Sequence, residues 1–461
     1  MNHFADRIST KLAQPVDNTF LVYFRVAFGV MVVWSLCKYF HSDLIWTQFL
    51  EPKIHFAYFG FDWVKPWGGN GMYVHFLVTA IAAACIAVGF KYKLATKVFF
   101  LGYTFIFLLD QTWYLNHYYL ICLLGLLLTI LPANCACSID AARDSSLRSD
   151  TVPTWVLWLL RFQVGVPYFF GGIAKMNSDW LHGEPLRTWL AKETDFPLIG
   201  QFFTQQWRVS SFDWGRLSLD LFIVPLLFWR RTRWVALAAM WSFHMMNAQL
   251  FHIGIFPWLM LAATTVLYLP VEWIARLRFW KQRGEVGGVD VSRVAGWLKP
   301  AICLFVLWQL VMPFRHHLYP GHVAFTREGH PFSWRMKLNI RRVDMKLAVH
   351  YEDGSKEPVY LWQWLTHPQE GRVRSTDQML QLAQYIREHK EKEVGMRAEV
   401  RGTITVALNG RKPEVLVTDK FDLSRQSRSL IPAKWIERPE LPPLNPSVAK
   451  VTDSAPLGAI R

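Results

Sequence analysis

The sequence predicts a polytopic α-helical membrane protein of about nine transmembrane helices with a C-terminal extracytoplasmic α+β domain. Three observations lead there. Hydrophobic residues make up 52% of the 461 residues and charged residues only 18%, with a mean hydropathy of +0.15. That balance is too apolar for an ordinary soluble protein and too polar for a pure membrane bundle, so spanning helices must be joined to a soluble part. The 23 tryptophans fit a membrane–water interface, where an indole ring is half buried and its N–H stays wet. Past residue 315 the apolar runs give way to strand-like alternation and turn pairs.

Residues 1–19, beginning MNHFADRISTKLAQPVDN, lack the compact apolar core and small-residue cleavage site of a removable signal peptide. Ile8 and Leu12 instead fit a short amphipathic helix lying on the cytoplasmic surface. Residues 20–315 form the membrane domain, with apolar segments at 20–40, 72–90, 96–110, 117–132, 154–174, 216–229, 233–250, 252–270 and 297–314. Several fall short of the ~20 residues that cross a bilayer perpendicularly. The pairs 96–110/117–132 and 233–250/252–270 read as tight helical hairpins.

Charge gives the orientation. Lys91, Lys93 and Lys97 follow the second segment, Arg230, Arg231 and Arg233 the sixth, and Arg276, Arg278, Lys281 and Arg283 the eighth. With nine crossings these loops share one side, which the positive-inside rule makes cytoplasmic. The N-terminus is then inside and the chain after residue 315 outside. The same loops account for the net charge of +15 without invoking nucleic acid.

In the soluble domain, residues 316–440, RMKLNIRRVDMKLAVHYEDGSKEPVYLWQWL reads as a strand pair turning at Asp353-Gly354. STDQMLQLAQYIREHKEKE opens on a Ser375 cap with helical spacing, and RAEVRGTITVALNGRKPEVLV is a second hairpin turning at Asn409-Gly410. Residues 441–461 are a proline-rich tail. None of the six cysteines follows Cys303, so the domain has no disulfide framework. Cys135 and Cys137 form a C-x-C with no second pair to complete a metal site, and no metal is expected.

The predicted topology brings three polar clusters to the outer ends of segments three, five and seven. LLDQTWYLNHYYL supplies Asp110, Asn116 and His117; YFFGGIAKMNSDWLHG supplies Lys175; WSFHMMNAQLFHIG supplies His244, Asn247, Gln249 and His252. Ionisable residues at membrane depth are costly, so three clusters at one depth point to a shared site. Each also has a plain reading. A helix-end lysine snorkels, a lone histidine is a structural donor, and Asn and Gln are interhelical glue. His117 and His244 could also face each other across a haem. Burial favours a neutral lysine amine able to accept a proton, whereas a helix carboxyl end favours the ammonium.

YFFGGIAKMNSDWLHG resembles the active-site lysine segment of the vitamin K-dependent gamma-glutamyl carboxylase family, whose membrane part is the horizontally transferred transmembrane (HTTM) domain. LDQTWYLNHYYL, FHMMNAQLFHIGIFPW and HLYPGHVAFTREGHPFSWRM resemble further family segments, the last found in bacterial members, and they occur in the family's order. The resemblance runs from about residue 20 to about residue 436. It implies an enzyme in which a lysine amine deprotonates reduced vitamin K, menaquinol or phylloquinol. Oxygen addition then creates a base strong enough to remove a carbon-bound proton from a glutamate side chain. Carbon dioxide captures the carbanion, and the quinone leaves as its epoxide.

On that resemblance Lys175 and His117 are the catalytic residues. Trp113, Asn116, Tyr168, His244, Asn247 and Gln249 line the quinone, and His330, Trp334 and Arg335 meet the substrate. Implied partners are a glutamate-bearing protein or peptide, membrane lipid, and a quinone or epoxide reductase acting in the same cycle. The implied location is the bacterial inner membrane, with the C-terminal domain in the periplasm. Animal members join the first outer loop to the soluble domain by a disulfide; this chain has cysteine in neither place. Two alternatives remain open: a quinol epoxidase without carboxylation, and a non-catalytic quinone- or lipid-binding protein.

Overall fold

The computed structural model describes residues 2–197, 199–251, 253–280, 296–442 and 444. A short helix, α1 (Asn2–Ala13), precedes the bundle. Each of the nine apolar segments carries a helix: α2 (Thr19–His41), α3 (Gly71–Val88), α4 (Tyr92–Leu108), α5 (Asn116–Ile130), α6 (Thr154–Lys175), α7 (Gln206–Phe228), α8 (Arg233–Phe251), α9 (Phe256–Tyr268) and α10 (Leu298–Val311). Among the described residues, four are long and apolar enough to cross a membrane: α2, α3, α6 and α10 with the turns that continue it to Leu318. The others fall short for two physical reasons. α5 and α9 have only 15 and 13 residues, and α7 carries Arg216 and Asp220 inside its apolar run.

Sequence neighbours pack as spatial neighbours. α4 lies on α5 and α8 on α9, the two expected hairpins, while α6 packs along α7. The α6–α7 contact is set by glycine. A Cβ on Gly172 would fall 2.7 Å from the Leu221 side chain and 3.0 Å from its backbone nitrogen, so only glycine lets the two backbones approach this closely. At the end of the bundle away from the C-terminal domain, Arg278 pairs with Asp17 and lies 3.4 Å from Asp150, tying three separate stretches together. Lys281 and Arg283 of that basic loop lie outside the described residues, as does the expected tail apart from Leu441, Pro442 and Leu444.

The C-terminal domain is an antiparallel four-stranded sheet in the order β2-β1-β3-β4, from β1 (Arg341–Tyr351), β2 (Lys356–Pro358), β3 (Ala398–Leu408) and β4 (Glu414–Val417). The β1–β2 connection carries Gly354 at a φ of +85°, and the β3–β4 turn places Asn409 and Gly410 at +50° and +79°. Two consecutive positive φ angles are what a type I′ hairpin needs, and Asn-Gly is the pair that tolerates them. Helix α11 (Thr376–Val394) starts on the expected Ser375 cap, with Gln378 closing a capping box. It buries Leu382 and Ile386 against Leu347, Val349, Ile404 and Val406 of the sheet.

This domain is not confined to residues after 315. Ile54 and Phe56, from the loop between α2 and α3, are buried in its core. Around them Gln369 Nε2 donates to the Ile54 carbonyl (3.0 Å), Gln111 Nε2 donates to Asp377 (2.7 Å), and Arg428 Nη2 donates to the Ala57 carbonyl (2.7 Å). A second clasp sits just past α6. Asp179 accepts from both terminal nitrogens of Arg411 (2.7 and 2.6 Å) and from Asn409 Nδ2 (2.6 Å). The hairpin turn is thereby fixed to the segment that follows Lys175.

Burial alone would raise the Asp179 carboxyl pKa, but Arg411 and Asn409 outweigh it and hold the group below the usual range. An acid whose folded pKa is depressed adds stability that is complete above its unfolded value and is lost as pH falls through the folded one. The clasp should therefore hold down to about pH 4 and fail below it. In thermal unfolding of detergent-purified protein, Arg411→Ala should cost about 3 kcal/mol at neutral pH and flatten the loss of stability on acidification. Gly172→Val should cost about 1–3 kcal/mol in the same measurement by forcing α6 and α7 apart.

Candidate active site

Between the helix ends and the C-terminal domain lies a cavity of about 1040 Å³, at the upper end of the size of small-molecule sites. Four helices supply its floor. α5 brings Asn116 and His117, α6 brings Pro167, Tyr168 and Lys175, α7 brings Arg216 and Asp220, and α8 brings Phe243, His244 and Asn247. Leu115, Phe251, Phe256 and Met260 complete an apolar wall on the membrane side. The C-terminal domain and its approach segment form the roof with Arg327, His330, Arg335, Lys337, Arg341, Arg342 and Arg374.

Lys175 is 3% exposed. It forms an ion pair with Asp220, donates to the Gly171 carbonyl at 3.2 Å and sits 5.3 Å from the centre of the Trp180 ring. Of the glycine pair preceding the lysine, Gly172 admits α7 and Gly171 offers its carbonyl to Nζ. Arg216, one turn before Asp220 on α7, lies over the same Trp180 ring, 5.6 Å from its centre, and donates to Asn247 Oδ1 at 3.3 Å.

A second network crosses from α6 to α8. Tyr168 Oη and His244 Nε2 are 2.7 Å apart, and Tyr168 Oη lies 3.2 Å from Thr264 Oγ1. His244 Nδ1 is buried with no hydrogen-bond partner among the described residues. His117 and His244 both face the ring of Phe256, at 5.8 and 6.2 Å. Phe256 thus lies beside both rings, and His244 Nε2 is already engaged by Tyr168.

The roof is strongly cationic. Six lysine and arginine side chains from the C-terminal part (Arg327, Arg335, Lys337, Arg341, Arg342, Arg374) and four from the helical part (Lys175, Arg187, Lys192, Arg216) line the cavity, against one carboxylate, Asp220. Burial pulls Arg327 and Arg335 down to about 10, still cationic at neutral pH. Burial, reinforced by Arg327 and Arg335, drives His330 well below its ordinary value, so its neutral ring accepts the hydrogen bond from Arg327 Nη1. Arg335 Nε and Arg327 Nε have no partner. Cations this crowded and this poorly paired call for an anionic ligand.

Of the residues expected from sequence, Lys175, His117, Asn116, Tyr168, His244, Asn247, His330 and Arg335 share this cavity. Three do not line it. Gln249 points outward, exposed. Trp113 packs beneath Arg372, 4.1 Å from its ring centre, and Trp334 is fully buried against Tyr119 (5.2 Å). Asp110 caps the turn before α5 through Thr112 and reaches Gln369 of the C-terminal domain, a structural tie outside the cavity. His252 lies outside the described residues. Sequence reading missed Asp220 and Arg216, although two charges inside the apolar run GRLSLDLFIVPLLFW carried the same signal of cost as the histidines.

Comparison with known proteins agrees with this architecture. Residues 13–273 match the HTTM domain, and residues 295–440 match the lumenal domain of vitamin K-dependent gamma-carboxylase. No solved structure matches the chain. The first match alone spans more than half of the sequence, and the second takes up the chain where the helices give way to the sheet domain. The chain belongs to the vitamin K-dependent gamma-glutamyl carboxylase family and is a carboxylase-like membrane protein.

Proposed function

We propose that this protein carboxylates glutamate side chains in a protein or peptide, driven by oxygenation of a quinol at the cavity beneath the C-terminal domain. The observation that carries the reading is the convergence of Lys175, His117, His244 and Asn247, from three helices, on one cavity roofed by arginines that form no ion pair among the described residues. A quinol bound there would supply, with O2, the strong base the reaction needs. The residues present suit such a group. The apolar wall of Phe243, Phe251, Phe256 and Met260 matches a ring and its isoprenoid tail, while the unpartnered His244 Nδ1 and the Asn247 amide can take its oxygen atoms.

Lys175 is the base in this reading, removing the first hydroxyl proton. His117, packed against Phe256 with no charged neighbour, holds the far side of the ring. Asn116 and Tyr168 set the walls. On the roof, Arg335 and the Arg327–His330 pair hold the glutamate carboxylate and keep the γ-carbon over the quinol. Burial of both walls excludes water that would quench a strong base. The nine helices would all cross the membrane, the shorter ones by local thinning and close packing. The basic loops would face the cytoplasm, and the C-terminal domain the periplasm of a bacterial inner membrane. A reductase would return the epoxide to quinol.

Purified protein given chemically reduced menaquinone, air, labelled bicarbonate and a glutamate peptide should form quinone epoxide and labelled peptide. Lys175→Ala should lose both by roughly 100-fold or more. Epoxide without label would leave an epoxidase; product from Lys175→Ala at the wild-type rate would end the assignment of the base. Arg335→Ala should raise the KM for the peptide roughly 10-fold while epoxide formation without peptide is unchanged, since its guanidinium lies on the roof.

A further inference from the structure

The ion pair at Lys175 poses a chemical problem. An ammonium has no lone pair, and this one is held by Asp220 and by the Gly171 carbonyl. Two of its three N–H bonds are committed, leaving one toward the cavity that Lys175 lines. A lysine in this state cannot take a proton unless it gives one away. Asp220 is the carboxylate in contact with it and the one acid among the described lining residues.

We propose that Asp220 is the proton acceptor behind Lys175, and that the two side chains act as a single relay. The inference rests on Lys175 being the base. The N–H bond of Lys175 that faces Asp220 breaks first and passes its proton to Oδ2; the neutral amine then turns about its Cε–Nζ bond, aims its lone pair at the cavity and takes the proton of an acidic hydroxyl there. One O–H and one N–H bond break; one N–H and one O–H bond form. Lys175 is an ammonium before and after, Asp220 becomes a neutral acid, and the negative charge moves from Asp220 to the oxygen left in the cavity. The ammonium exchanges one anionic partner for another. At no stage does the Lys175–Asp220 pair carry a charge without a counter-charge beside it, the state that low-dielectric surroundings penalise most.

Two features of the fold serve this exchange. The glycine contact at Gly172 brings α7 near enough for Asp220 to reach Nζ. Arg216, on the same helix and over the same Trp180 ring as Lys175, is turned to Asn247 and forms no ion pair with Asp220. The charges of Asp220 and Asp213 both act on Arg216, so its guanidinium keeps a second carboxyl group nearby when Asp220 turns neutral. Asp220 acts through Lys175 and is a positioning residue; it has no need to touch the quinol.

The test compares wild type, Lys175→Ala, Asp220→Asn and Asp220→Glu, each as the full chain in detergent, with two readouts. The first is epoxide formation from menaquinol. The second needs no quinol: acylation of Lys175 by acetic anhydride, followed by mass spectrometry. In the wild type the paired ammonium should resist acylation. In Asp220→Asn it should react at least ~10-fold faster, because the counter-charge that kept the nitrogen protonated is gone. Epoxide formation by the same variant should nevertheless fall by roughly 100-fold or more, because a buried amine with no carboxylate behind it, and with Arg216 over the same Trp180 ring, is too weak a base to hold the hydroxyl proton. Asp220→Glu should restore both properties to within ~10-fold.

Asp220→Asn making epoxide at the wild-type rate would overturn the relay, as would equal acylation of Lys175 in the two proteins. If Asp220→Asn does not elute as a single folded species, Asp220→Glu decides: restored protection and turnover support the relay, and a folded but inactive Glu variant ends it. Activity in Lys175→Ala fails the base assignment itself, whereas an inactive Lys175→Ala beside an active Asp220→Asn removes only the relay.

Discussion

Where α6 and α7 cross, Gly172 puts no side chain between the helices, and the charges one turn on are brought together as a consequence. An apolar bundle tolerates a lysine and an aspartate only if they meet, and they meet only if the backbones nearly touch. The Lys175–Asp220 contact in turn fixes the carboxyl end of α6. From there the chain runs directly into the Asp179 segment that Arg411 and Asn409 grip. The floor of the cavity and the attachment of its roof are thus set by one close approach between two helices.

The two walls of the cavity obey opposite physics. The membrane-side wall is aromatic and carries few charges, the Lys175–Asp220 pair and Arg216, and the roof is a cluster of cations with no carboxylate partner among the described lining residues but Asp220 across the cavity. A ligand meeting both must be apolar at one end and anionic at the other, or two ligands must share the space. In the proposed reaction the two are separate molecules, a ring lodged among the helices and a carboxylate held from above.

Much of this was legible in the sequence, for reasons that differ by region. The turns at Asp353-Gly354 and Asn409-Gly410 and the Ser375 cap are local signals, in which a few adjacent residues dictate the backbone, and each occurs where expected. The membrane segments were legible from hydropathy, yet α5 and α9 are too short, and α7 too charged, to count as simple spans. Lys175, His117, His244 and Asn247 stood out as polar groups where polarity is costly. Asp220 and Arg216 carried the same signal, but the partner of a charge depends on helix contact rather than on spacing, so the pair was invisible along the chain. Trp113, Gln249 and Trp334 mark the converse limit: proximity in sequence to a site residue fixes neither the direction of a side chain nor its face.

The burial of Ile54 and Phe56 in the C-terminal core bears on how the protein is made. The hydrogen bond from Gln369 to Ile54 joins residues 315 positions apart, so the first loop emerges long before the residues that will enclose it. At ribosomal speeds the loop waits roughly 15–60 s for its partners. During that interval the helices can already be inserted and packed, while the cavity has a floor and no roof. The last step of assembly is then the capture of an early loop by a late domain, and the site becomes dry only after the whole chain has been translated.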